Sequence, residues 1–301
     1  MYVVILAGGS GTRQRPLSGV TRTVMFERDG NGSTVLERTL ARLPTFVDAL
    51  DMVVVADRRH GQAIRELAPD ALILPEPMNR NTAASIALAT VAVNRPDRET
   101  MLVLSVDHDL DHPEVFADAV ETLDRELSRG VPGITRPLVT FGIPPERDDP
   151  EFSYIRPRFA DVVRAGALRV YPADGYEPAP GAARARELFA SGTAFWNAGI
   201  YMWQRGAIRE AIERYTPLLT LIEPAYRSEL ALRGAYDRLR PLSIDEAVLD
   251  GAARDGALMM TPLDAGWREA RPGVDATDDL VAVPAETDDP VSSDDSRRRS
   301  T

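Results

Sequence analysis

The sequence predicts an α/β protein in which helices flank a mostly parallel sheet. Apolar runs typical of buried strands recur at 3–6, 52–56, 71–74, 101–106 and 138–143. These runs are too continuous for burial on one face only. Helical patterns lie between the first four runs, at 33–43, 59–67 and 82–93. Such alternation predicts parallel strands with ligands at their carboxyl ends.

The regular alternation ends after residue 143. Proline, glycine and charged residues interrupt the pattern from 144 to 194, and the short elements expected there are strands at 154–156 and 167–171 and a helix at 182–191. Further on, the pattern predicts helices at 206–215, 218–233 and 244–255 and a strand at 257–262. We therefore expect one folded unit over 1–272, followed by a disordered acidic tail at 273–301.

Composition narrows the classes of protein. The 301 residues are 44% hydrophobic and 27% charged, which suits a globular protein with a substantial core. A net charge of -11 argues against a dominant nucleic-acid-binding surface. No run approaches the roughly 20 apolar residues of a membrane span, and no basic segment precedes the first apolar run, so we expect a cytoplasmic protein that does not bind membranes. The chain has no cysteine, which excludes disulfides and thiolate metal sites, and no lysine.

A glycine-rich loop follows the first predicted strand, at Gly8–Arg13. Glycines there let backbone amides approach a phosphate closely. The spacing is not that of a P-loop, and Gln14 stands where the dinucleotide pattern needs glycine. The loop alone therefore predicts phosphate binding and leaves the ligand open, although a dehydrogenase is disfavoured.

The surrounding residues resemble those of the sugar-1-phosphate nucleotidyltransferases, most closely the mannose-1-phosphate guanylyltransferases. Gly8–Arg13 with Pro16, Leu17 and Ser18 matches the opening pattern of that family. Five further segments resemble family motifs in the same order: 76–83, 104–108, 140–143, 195–200 and 243–248. The resemblance covers residues 1 to about 271.

The resemblance implies a Rossmann-like fold of the nucleotide-diphospho-sugar transferase type. Its nucleotide-binding part would span about 1–143 and its sugar-binding part about 144–272. The implied reaction joins a nucleoside triphosphate, GTP being favoured, to mannose 1-phosphate or a related sugar 1-phosphate, and it yields an NDP-sugar and pyrophosphate. Mg²⁺ or another divalent cation is the implied cofactor, and a homodimer is compatible with the family.

The resemblance also implies roles for individual residues. Arg13 and Asp107 would be catalytic, with Arg13 neutralising the leaving pyrophosphate. Asp107 and Glu269 would hold the metal. The sugar phosphate would meet Asn197, Gly142 and Asp245. The nucleotide would be bound by Leu6, Ala7, Gly8, Gly9, Ser10, Gly11, Thr12, Arg13, Asn81 and Thr82.

Several positions depart from the family pattern. Val24 stands where the family usually has a lysine, and Arg22 could replace that cation only if the loop shifts. Glu151–Tyr154 and 170–172 differ from two sugar-binding motifs, and Glu269 replaces an aspartate. These departures suggest an altered substrate or lost activity, so the alternative is a catalytically impaired relative that binds a nucleotide or sugar nucleotide and regulates a partner.

Some residues have plainer interpretations. His108, Asp109, Asp111 and His112 could form a transition-metal site, but we favour a strand-to-helix loop with solvated charges. Asp245 could equally cap a helix. The aromatic residues Phe195, Trp196 and Trp203 are expected in the core rather than as stacking platforms.

Overall fold

A computed structural model describes residues 1–8, 24–131 and 134–269. Over these residues the chain forms a large sheet covered by helices on both faces, so the predicted fold class is confirmed. The proposed tail at 273–301 lies outside the described residues. None of the described helices is both long and apolar enough to cross a bilayer.

The strands begin and end close to the predicted runs. Their bounds are β1 Tyr2–Leu6, β2 Met52–Asp57, β3 Leu72–Glu76, β4 Thr100–Ser105, β5 His108–Leu110, β6 Leu138–Ile143, β7 Tyr154–Pro157, β8 Val163–Ala165, β9 Leu168–Glu177, β10 Phe195–Gln204, β11 Leu258–Pro262 and β12 Trp267–Glu269. The continuous apolar runs have the expected cause, because every residue of β1 and β6 is buried.

The helices connect these strands. Their bounds are α1 Val35–Ala41, α2 Gly61–Leu67, α3 Asn81–Ala92, α4 Pro113–Arg129, α5 Ala182–Ser191, α6 Arg205–Tyr215, α7 Leu218–Ile222, α8 Glu229–Asp237 and α9 Asp250–Arg254. A π-helix at Asp245–Leu249 leads directly into α9. The start of α1 is fixed by a capping box, in which Thr34 and Glu37 each bond to the other's backbone amide.

The main sheet has ten strands in the order β3-β2-β1-β4-β10-β6-β11-β9-β7, with β8 paired to β9. Strands β1 to β4 are parallel, and β10 runs antiparallel to both β4 and β6. Strand β6 therefore runs in the same direction as β4, and β11 is parallel to β6. This arrangement brings the carboxyl ends of β1 to β4, β6 and β11 and the amino end of β10 to one edge of the sheet.

Three local predictions were wrong. The predicted helix at 218–233 is divided into α7 and α8, and the break contains Pro224, which has no amide hydrogen and disfavours helix in the residue before it. The segment at 244–255 begins as a π-helix rather than an α-helix. His108 lies in strand β5 rather than in a solvated loop, because β5 pairs with the distant β12.

Candidate active site

The first part of the candidate site follows from the pairing of β1 with β4. Leu6 is the register partner of Ser105, and the Val106 amide donates to the Leu6 carbonyl at 3.2 Å. Gly8 and Asp107 each follow two residues beyond this register pair. The start of the glycine loop and the predicted metal-binding carboxylate therefore lie at neighbouring strand ends, as the sequence predicted.

Two further register pairs bring distant segments to the same edge. Asn197 on β10 pairs with Gly142 on β6, and the backbone of Glu269 on β12 pairs with His108, which follows Asp107. The structure thus brings together the backbone of most predicted site residues from five strands. The side chain of Glu269 lies outside the described part of the structure, as do Gly9, Ser10, Gly11, Thr12, Arg13 and Arg22.

Gly8 lies directly over a buried carboxyl group. A Cβ atom at position 8 would lie 2.6 Å from Oε2 of Glu76, so only glycine fits without displacing that side chain. Glu76 is 2% exposed, and it accepts hydrogen bonds from the hydroxyls of Ser85, at 2.9 Å to each oxygen, and Tyr236, at 3.0 Å. Burial raises the pKa of Glu76 to about 7, because the ionised carboxylate loses its contact with water.

The start of α3 carries the predicted nucleotide-binding pair Asn81 and Thr82. Asn81 has a left-handed backbone with φ of 67°, a conformation that asparagine tolerates better than most residues. Its amide donates to Asn79 Oδ1 at 2.8 Å, which supports this conformation. The Thr82 hydroxyl accepts a hydrogen bond from the Ile244 amide at 2.8 Å. Thr82 therefore connects α3 to the segment that carries Asp245.

Asp107 remains accessible, since its side chain is 39% exposed. One of its oxygens accepts a short hydrogen bond from the Ser105 hydroxyl. The neighbouring His108 is buried, packs edge-on against Trp267 with ring centroids 5.1 Å apart, and has a pKa lowered to about 4 by burial. His108 is therefore neutral at pH 7, and among the described residues no group of three acidic or histidine side chains could hold a metal.

A cation near Asp107 was not predicted from the sequence. Arg42, which follows α1, donates to the Ser105 carbonyl at 3.3 Å, and burial lowers its pKa to about 10 while Asp107 and Asp109 oppose that shift. Arg38 on the same helix forms an ion pair with Asp109 at 3.4 Å. The spacing of these two arginines, one turn apart on α1, is the signal that could have revealed them.

The predicted sugar-phosphate residues form a hydrogen-bonded network. Asn197 Nδ2 lies within 3.0 Å of the hydroxyls of Tyr176 and Tyr201 and 3.1 Å from Asp245 Oδ1. Its Oδ1 accepts from the Thr140 hydroxyl at 2.6 Å. Asn197 is buried and its amide orientation is fixed by these partners. Its side chain is thus held by the protein itself.

Asp245 faces the same network from the first residue of the π-helix. Tyr201 donates to its Oδ1 at 2.9 Å and Ser153 to its Oδ2 at 3.2 Å, while burial raises the pKa of Asp245. Asp245 does not cap a helix, because the capping partners there are Ser243 and Glu246. A π-turn of this kind is frequent at functional sites.

A bulge in β10 makes the network geometrically possible. The register of β10 shifts between Asn197 and Tyr201, and Gly199 within the bulge has φ of 67°. A Cβ atom at Gly199 would lie 3.1 Å from His108 Cε1, so the bulge packs closely on the β5 segment. Phe195, Trp196 and Trp203 pack mainly in the interior, and Trp196 and Trp203 are buried, as predicted for core aromatics.

The fold and the strand-edge site are those of nucleotide-transferring enzymes, and the family comparison agrees. The model of the nucleotidyl transferase family matches residues 2–224, and the chain belongs to that family.

Several relatives carry more specific names. The chain is 33% identical over 287 residues to mannose-1-phosphate guanylyltransferase ManC of Salmonella typhimurium strain LT2, and 30% identical over 288 residues to the mannose-1-phosphate guanylyltransferase of Escherichia coli K12. Both alignments cover 89% of this chain but only 57% of the relative, so the chain spans little more than half of their length. A crystal structure from Thermus thermophilus, described as a mannose-1-phosphate geranyltransferase, has a TM-score of 0.71 at 28% identity and covers 89% of this chain and 75% of its own.

Proposed function

We propose that the protein transfers a nucleotidyl group from a nucleoside triphosphate to a sugar 1-phosphate and releases pyrophosphate. One observation carries this proposal: in a chain of the nucleotidyl transferase family, Gly8, Asp107 and the Asn197–Gly142 pair lie along one edge of the sheet. The names of the relatives favour GTP and mannose 1-phosphate or a related sugar.

The nucleotide would bind at the carboxyl ends of β1 and β3. Backbone amides from Leu6 to Thr12 would contact the phosphates, and Asn81 and Thr82 would hydrogen-bond the base or ribose. Attack by one phosphate on another brings several negative charges together, so amides and cations supply most of the stabilisation. Arg13 would neutralise the departing pyrophosphate, and Arg42 adds a positive charge behind Asp107.

Asp107 fits a magnesium ion of the kind that is held by one or two carboxylates together with substrate phosphates. Its carboxylate is accessible and its oxygens are hard ligands, while the backbone of the second candidate, Glu269, is paired next to it. When bound, the ion would offset charge on the reacting phosphates. Neutral His108 is buried beside this position and contributes no charge at pH 7.

The sugar 1-phosphate would lie near Asp245, Asn197 and Gly142. Asp245 is half-buried and offers carboxylate oxygens that accept sugar hydroxyls, while Asn197 and the tyrosine hydroxyls fix its orientation. A network held in place before the substrate arrives lowers the entropic cost of binding.

The second candidate function is that of a catalytically impaired relative that binds a nucleotide or sugar nucleotide and regulates a partner. It is favoured by one observation, the valine at position 24 in place of a lysine. Without that ammonium group, the phosphate charge has one fewer counter-charge, so binding could persist while transfer slows.

A substrate screen separates the two functions. The protein is incubated with a divalent metal, each of several nucleoside triphosphates and a panel of hexose and heptose 1-phosphates, and released pyrophosphate is measured. We expect release with at least one pair, most with GTP. Nucleotide binding without release from any pair would replace the enzyme with the binding protein.

The variant Val24→Lys tests the missing cation directly. If the lysine is what the site lacks, we expect pyrophosphate release to rise by about tenfold or more, because a cation is restored next to the phosphates. Val24→Met is the matched control of similar length without charge. Equal rates for the two variants would show that the position does not limit transfer.

Arg22→Ala asks whether the nearby arginine already replaces the lysine. We expect a fall of about tenfold in pyrophosphate release if its guanidinium contacts the phosphates. Arg28→Ala, which removes another arginine from the same region of the sequence, serves as the control. An unchanged rate in Arg22→Ala would remove Arg22 from the site.

A further inference from the structure

An apolar groove lies along the outer strand of the sheet and differs in character from the polar candidate active site. Strand β3 is paired only with β2 among the described strands, and the groove beside it has a volume of about 460 Å³. Its apolar wall comes from β3, α3 and the segment leading into α8, through Leu72, Leu74, Leu88, Ala92, Tyr226 and Leu232.

The groove is unusually exposed for an apolar surface. Leu72 is 45% exposed, and Leu230, next to the groove on α8, is 82% exposed, the highest value for any large apolar side chain in the described residues. An unpaired strand with exposed leucines invites pairing with another chain segment, and proteins commonly cover such edges. The groove therefore needs an occupant.

The charges at the mouth of the groove favour an acidic occupant. Arg58 is paired with Glu229 at 2.6 Å, whereas Arg227 packs on the Tyr226 ring and faces no carboxylate within ion-pair distance among the described residues. This leaves Arg227 as a cation able to meet an acidic group on an incoming segment.

The chain itself contains a segment of matching chemistry. In the part that follows residue 269, Leu280–Val283 is the one run of four consecutive apolar residues, and Asp278 and Asp279 immediately precede it. Alternate residues of an extended strand point to opposite faces, so Leu280 and Ala282 would share one face. Pro284 then follows and would end the strand.

The length of the connection is sufficient. The ten residues between Glu269 and Leu280 can span up to ~36 Å when extended. Strand β12 is anchored through β5 just beyond β4, and three strand spacings of the sheet, ~14 Å, separate β4 from β3. The segment can therefore reach the groove with length to spare.

We propose that residues Leu280–Val283 bind in this groove as an added strand beside β3, with Asp278 and Asp279 next to Arg227. Main-chain hydrogen bonds to the free edge of β3 supply affinity, and the leucines of the groove receive alternate side chains. The proposal does not depend on the proposed function.

The absence of cysteine from the chain makes a cross-linking test clean. In the full-length protein, Leu230→Cys is combined with Ala282→Cys, and the rate of disulfide formation under mild oxidation is followed by non-reducing electrophoresis. The control pair is Phe159→Cys with Ala282→Cys, since Phe159 is 47% exposed and lies beside β9 near the other end of the sheet. We expect the first pair to form an intramolecular disulfide at least tenfold faster.

Three results would overturn the proposal. Equal rates for the two pairs mean that the segment does not bind the groove. Disulfides that join two chains, with a rate that rises with protein concentration, mean that the groove receives a second copy. An unchanged rate after adding Leu280→Asp to the first pair means that apolar contact does not hold the segment.

Discussion

The two halves of the sheet present their site residues in different ways. In the parallel half, Asp107 is 39% exposed and Asn81 is exposed at the start of α3. In the half that contains β6, β9 and β10, Asn197 is buried and held by Thr140, two tyrosines and Asp245. The first half offers accessible groups and backbone amides to a charged ligand, whereas the second holds its polar groups in a fixed network. Substitutions should therefore affect chemistry in the first half and both binding and stability in the second.

The largest effect is expected for Asp107→Ala. Loss of the accessible carboxylate should lower pyrophosphate release by about 10²–10³-fold, a size typical of removing one transition-state-stabilising group. Because the side chain is exposed, the free energy of unfolding should change by less than ~0.5 kcal/mol. Asp111→Ala, at another accessible aspartate near β5, is the control, and an equal rate in both variants would contradict the metal assignment.

The next effect concerns Glu76 and sharpens the comparison by placing a buried network in the parallel half as well. Its pKa is about 7 in the folded protein against an ordinary 4.5, so the folded state holds the proton more tightly than the unfolded chain. The free energy of unfolding should then fall as pH rises between these values, by ~3 kcal/mol in all. Nearby Asp57 adds to the shift.

Glu76→Gln removes the titrating group while keeping the shape of the side chain. Denaturant unfolding at a series of pH values from 4.5 to 8 should show a flatter profile for this variant than for the natural protein. Asp57→Asn separates the contribution of the neighbouring carboxylate. Parallel profiles for the natural protein and Glu76→Gln would mean that Glu76 does not titrate in this range.

A smaller effect is expected for Asn197→Ala. The substitution leaves the Thr140 hydroxyl and two tyrosine hydroxyls without their amide partner, which should cost ~1–3 kcal/mol in the free energy of unfolding. It should also raise the KM for the sugar 1-phosphate, because Asp245 loses the amide that orients it. Asn79→Ala, at an asparagine outside this network, is the control. Unchanged unfolding and KM would show that the network is not fixed by Asn197.

The sequence predicted the parallel half of the sheet well, because buried parallel strands carry continuous apolar runs. Strand β6 was predicted with its observed bounds, and β1 and β4 differ by one residue at one or both ends. The resemblance also brought Gly8, Asp107 and Asn197 into one hypothesis before their register was known. Those features are local or are carried by short motifs.

The errors concern contacts between distant segments. His108 follows a strand and is surrounded by acidic residues, so its local sequence indicates a solvated loop, but pairing with Glu269 buries it. Strand β10 was not predicted as a strand, and the carboxyl beneath Gly8 was not recognised, because neither the bulge at Gly199 nor the approach of Glu76 has a local signal. Such features depend on register across the sheet rather than on periodicity.

The reversed direction of β10 has a consequence for where this fold can accept inserted sequence. The parallel strands can gain residues near the ligand edge in the loops that follow them. Strand β10 can do so only in the loop that precedes it, between α5 and Phe195, because its own carboxyl end is at the opposite edge. There Gln204 continues into α6 at Arg205 without an intervening loop, so an insertion would separate strand from helix instead of reshaping the site.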